Sequence, residues 1–110
     1  MTVPDATVQA AKDNMRRLLD ETFQGAVTFD PITVEPVVDF YGEDTLKIVV
    51  VYDGDYSLLD PHKRIRISSE LDDILYGMGF RNFPLESYIS KDEYPEWLWM
   101  SNHPRPWELE

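Results

Sequence analysis

Along most of the chain, apolar positions recur at a single period. One stretch, Thr45–Asp53, is apolar at both parities of a strand. Leu46, Ile48, Val50 and Tyr52 fall on one face, and Val49 and Val51 on the other. A strand apolar on both faces is covered on both, so this one is expected at the centre of a sheet. Its partner is expected over Ile32–Tyr41, with Ile32, Val34, Val38 and Phe40 on one face. Pro36 interrupts that run, and because proline cannot donate to a ladder the strand reads as an edge. Gly42-Glu43-Asp44 supplies the turn between them.

Helical spacing brackets the hairpin. Val8, Ala11, Met15, Leu18, Leu19 and Phe23 form one stripe, with Asp5 placed to cap a helix that runs to about Gln24 and Gly25 placed to end it. Ala26–Pro31 reads as a linker into the hairpin with room for a few strand-like residues of its own. After the loop Asp53–Asp60, Asp60-Pro61 has the form of an N-cap with proline at the first helical position. Ile67, Leu71, Ile74, Leu75 and Met78 then give the stripe of a helix over Pro61–Tyr76, stopped by Gly77 and Gly79. Arg64-Ile-Arg-Ile67 also alternates like a strand, so residues 63–67 stay open between helix and strand, with the proline start and glycine stop favouring helix.

Phe83–Ser90 reads as a third strand. Ser90 and Glu93 have the spacing of a capping box that opens a helical segment to about Met100, which Pro95 would split. The expected fold is α+β in the order α-β-β-α-β, a three-stranded sheet covered by two helices on one face, with a C-terminal aromatic appendage. Residues 1–100 form the domain and 101–110 a tail containing proline and tryptophan. The third strand pairs in parallel beside Thr45–Asp53 or antiparallel beside Ile32–Tyr41, and Pro36 favours the first.

Composition narrows the function classes. The 110 residues carry a net charge of −11, from 21 acidic and 10 basic side chains. That field repels phosphate backbones and steers toward a basic partner, which disfavours nucleic acid. There is no cysteine, which excludes disulfides, thiolate metal sites and cysteine nucleophiles and fits a reducing cytoplasm. No apolar run is long enough to span a bilayer, and Met1–Asp5 lacks the basic-then-apolar order of a signal peptide, so a cytoplasmic protein without membrane contact is expected.

Candidate chemistry is sparse. Asp53 and Asp55 follow the central strand and could hold a divalent cation for a metal-dependent enzyme or a nucleotide-binding domain. No glycine-serine phosphate-binding turn precedes them, and an Asp/Gly turn accounts for the same residues. Lys63, Arg64 and Arg66 form the one dense basic cluster, placed to meet a phosphate near a helix start or to pair with nearby acids. His62 and His103 have no second ligand at metal spacing, and no cofactor is expected.

The most unusual composition lies at the C-terminus. Tyr88, Tyr94, Trp97, Trp99 and Trp107 crowd together there, with Met100 and Arg105 nearby. Such residues anchor protein interfaces, which makes Tyr94, Trp97, Trp99, Arg105 and Trp107 the candidate partner-binding set. The competing reading is that they cover the chain's own sheet.

The element order resembles KH-like domains, although the GxxG loop is absent and the acidic charge opposes an RNA role. Tyr41–Asp53, Leu59-Asp-Pro61 and Phe83–Lys91 are similar to stretches of small bacterial proteins encoded beside helical HEPN-type partners in toxin–antitoxin-like pairs. This resemblance implies a protein partner and no catalytic residue. The expectation is a non-enzymatic, acidic protein-binding module with a basic partner, or one that pairs with a second copy of itself.

Overall fold

The computed structural model describes residues 3–102. The element order is α1 (Asp5–Phe23), β1 (Thr28–Val38), β2 (Asp44–Asp53), a 3-10 turn (Tyr56–Leu58), α2 (Pro61–Gly77), β3 (Leu85–Ser90) and α3 (Tyr94–Asn102). The sheet order is β1-β2-β3, with β1 antiparallel and β3 parallel to β2. The antiparallel alternative for β3 is thereby excluded. Residues 63–67 are helical.

The core lies on one face of the sheet. Leu46, Ile48, Val50 and Tyr52 of β2 meet Phe29 and Ile32 of β1, and α1 and α2 close over them. α1 contributes Ala11, Met15, Leu18, Leu19 and Phe23, and α2 contributes Ile67, Leu71 and Leu75. Phe23 packs on Phe29 at a ring separation of 5.4 Å. On the outer face, Thr45, Val49 and Val51 are buried as well, as a strand apolar on both sides requires.

Local signals set most boundaries. The Asp60 carboxylate accepts from the His62 N–H at 2.8 Å, and Pro61 opens α2. At α1, however, Asp5 is the first helical residue. Pro4 takes the cap position, with no side-chain cap bond. The helix ends through Gln24 in the left-handed region, ahead of Gly25. Pro95 does not split α3. It sits in the first turn, where its missing N–H has no intrahelical acceptor to lose, and the Ser90 hydroxyl accepts from the Glu93 N–H just before it.

Both ends of β1 differ from the expected span Ile32–Tyr41. The strand starts at Thr28, inside the expected linker, which brings Phe29 into the core. It also stops at Val38. Phe40, expected in the strand on the face of Ile32, is 98% exposed, and Val38 is largely exposed too. The cause is the turn, which spans Asp39–Glu43. The Asp39 carboxylate accepts from the Tyr41 and Glu43 N–H groups at 2.9 Å and from Asn82 Nδ2 at 3.0 Å. Those bonds hold its carboxyl below the usual range, the Asn82 contact most strongly. They pull the chain out of strand geometry before Phe40.

Two substitutions separate these environments. Leu71→Ala should cost about 2–5 kcal/mol in urea unfolding, because it empties a buried site. Phe40→Ser should change stability by less than about 0.5 kcal/mol. A large loss in the second variant would place Phe40 back in the core.

Candidate functional site

Among the described residues, α3 and the groove between α2 and β3 are the two surfaces with chemistry to offer. α3 follows β3 through the turn at Lys91–Glu93 and lies against the outer face of the sheet. Lys47, an outer-face residue of β2, sets its ammonium 5.2 Å from the Trp97 ring centre. Tyr94 stacks on Trp97 at 6.1 Å. Both aromatic side chains are half-buried. Trp99 differs, being 61% exposed, with Leu98 and Met100 exposed on either side. The candidate set therefore divides. Tyr94 and Trp97 pack toward the chain's own sheet, while Trp99 faces outward. Arg105 and Trp107 lie outside the described residues, as does His103.

The carboxylates proposed for a cation are occupied otherwise. Asp53 pairs with Lys91 at 3.6 Å. Asp55 caps the 3-10 turn by accepting from the Ser57 N–H at 2.9 Å, which lowers its carboxyl below the ordinary value. No group of His, Asp and Glu able to hold a metal occurs among the described residues. The basic cluster is also dispersed. Lys63 lies over Phe23 on the α1 side, Arg64 turns toward β3 over Tyr56 and Tyr88, and Arg66 is exposed.

The groove was not foreseen as a site. It has a volume of about 430 Å³ and is lined by Pro61, Arg64, Ile65 and Ser68 of α2 and by Glu86 and Tyr88 of β3. The α2 residues recur at helical spacing on the flank facing β3, and the β3 residues alternate on its core face. Ser68 Oγ donates to Glu86 Oε1 at 3.0 Å. The Arg64 guanidinium lies 5.6 Å from the Tyr88 ring centre and 5.9 Å from that of Tyr56.

Three buried side-chain polar atoms lack a hydrogen-bond partner among the described residues: Arg64 Nε, Tyr88 Oη and Asp72 Oδ1. The first two line the groove, and Asp72 lies one turn beyond Ser68. Burial raises Glu86 above its ordinary value, the Ser68 hydroxyl lowers it and the Asp72 charge raises it again. Asp72 is raised by burial and then by Asp73. Burial also raises Tyr88, with Glu86 adding to the shift. Neither Glu86 nor Asp72 holds an ion pair among the described residues.

A second cavity of about 430 Å³ lies where the start of α1 meets the hairpin turn and the α2–β3 loop. None of the unpartnered atoms falls there.

No protein-family model matches the chain, and neither a curated protein nor a solved structure matches it. Among the described residues, no helix is long and apolar enough to cross a membrane.

Glu86 makes a pH prediction. Its folded carboxyl holds a proton more tightly than the unfolded one, so its stabilising contribution is full below the ordinary value of 4.5 and is lost as pH rises through the raised folded value. Glu86→Gln should therefore melt higher than the parent at neutral pH, and the gap should close on acidification. Thermal melts across that range test it, and a variant less stable at neutral pH would contradict the assignment.

Proposed function

We propose that the chain is a non-enzymatic, acidic protein-binding module that acts in the cytoplasm on a basic protein partner. One observation carries this reading: three consecutive large apolar residues of α3, Leu98, Trp99 and Met100, are exposed together. Clusters of this kind mark interaction sites, and tryptophan is enriched among residues that dominate binding energy. The net charge of −11 selects the partner's sign, since complementary fields accelerate encounter and like charges oppose it. On this reading the chain would be the antitoxin-like member of a two-protein pair.

Enzymatic and RNA-binding alternatives draw less support. Asp53 and Asp55 are engaged by Lys91 and Ser57. Lys63, Arg64 and Arg66 point to separate surroundings and offer no shared phosphate cradle.

The tryptophans of α3 give the test. Trp97→Ala should lower stability, because its ring packs on Lys47 and Tyr94. Trp99→Ser together with Leu98→Ser should leave the circular dichroism spectrum, and so the fold, unchanged. The tagged parent, recovered from its native host, should bring down one stoichiometric basic protein, and the double variant should lose it. Retention of that protein by the double variant would overturn the assignment to α3. Recovery of the parent as a homodimer without a second protein would overturn the basic partner.

A further inference from the structure

We infer that the groove between α2 and β3 is a second recognition site, one that takes an extended peptide segment of a protein partner as an added strand on β3, with a lysine or arginine side chain directed at Glu86. This inference rests on the reading of the chain as a protein-binding module and adds a mode of binding to it.

Backbone geometry comes first. β3 is an edge of the sheet, and no described strand lies on its other side. The Lys91 N–H donates to the Tyr52 carbonyl at 2.8 Å, so Lys91 turns its backbone groups toward β2. Alternate residues of a strand share that side, and Leu85, Ser87 and Ile89 therefore face β2 as well. Glu86 and Tyr88 turn their N–H and C=O groups outward, where an added strand would pair with them. The opposite edge is closed by sequence. β1 carries Pro36 on its outward row, where it removes a donor, and its register breaks between Phe29 and Ile32.

Side chains supply the specificity. The residues whose backbone faces outward are the same ones whose side chains line the groove. An added strand would direct alternate side chains over the flank of α2. At one end they would meet Pro61 and Ile65, and Ile65 is exposed although it lies on a helix that packs into the core. At the other end they would meet Ser68 and Glu86, with Asp72 behind. The two carboxyls have no cationic partner among the described residues, while the Arg64 charge is spread against two tyrosine rings. A basic side chain would satisfy the acids, and a peptide carbonyl or side-chain oxygen would accept from Arg64 Nε and Tyr88 Oη. The occupant is thus an extended segment with an apolar residue two positions from a basic one.

A displayed library of random linear peptides, panned against the full chain, tests this. Enriched sequences should pair an apolar residue with Lys or Arg at a spacing of two. Their affinity, read by fluorescence polarisation, should fall about tenfold or more on Glu86→Gln and on Ile65→Asp. Ile65→Asp alters an exposed position and keeps the test valid if the Glu86 variant is perturbed in its fold. N-methylation of alternate peptide amides should abolish binding in one register and be tolerated in the other.

Three results would overturn the inference: no enrichment, enrichment of acidic peptides that depend on Arg64, or tolerance of N-methylation in both registers. Enriched peptides that survive both groove variants but are lost with Trp99→Ser would leave the protein-binding reading standing and remove the groove from it.

Discussion

β2 must be covered on both faces, and the other elements follow from that demand. Leu46, Ile48, Val50 and Tyr52 face the helices, while Val49 and Val51 are buried on the outer side. Leaving either row in water would forfeit roughly 1.5–3 kcal/mol per large side chain. α1 and α2 meet the first need. α3 comes to the second side, anchored where Trp97 meets Lys47. A strand covered on both faces must also be central, and this leaves two edges to manage. One edge is closed by proline. The other, β3, borders a groove lined with polar groups.

That asymmetry links the fold to the two proposed recognition surfaces. Helix α3 is too short and too aromatic to bury every large residue it carries against one sheet face. Trp97 and Tyr94 turn inward, and Leu98, Trp99 and Met100 remain outside. On the other side of the sheet, α2 packs through Ile67, Leu71 and Leu75, so its Arg64, Ser68 and Asp72 flank falls over the polar face of β3. Both surfaces arise where the core ends, and both sit in a strongly negative field.

Much of this architecture was legible in the residues. The double parity of β2 placed it centrally, and Pro36 marked β1 as an edge. Asp60-Pro61 fixed the start of α2, while residues 63–67, open between helix and strand by their pattern, are helical. Phe40 was misplaced because alternation continues past Val38, while the Asp39 carboxylate, tied in part to Asn82 across 43 positions, ends the strand. Periodicity carries no trace of so distant a partner.

The groove escaped for the same kind of reason. Ser68 and Glu86 lie 18 positions apart and meet only through the parallel crossover. One signal was present in β3. Its apolar Leu85 and Ile89 share a parity, yet Glu86, Tyr88 and Ser90 take the core face. A strand that turns its polar row toward the helices marks an incomplete interior, and here that row adjoins the open edge.

Amide hydrogen exchange of the free protein, resolved by residue, tests the open edge most directly. Exchange should alternate along β3: slow at Ser87 and Ile89, whose N–H groups face β2, and fast at Glu86 and Tyr88. Uniform protection along β3 would show that the edge is already paired and would contradict its proposed role as a recognition surface.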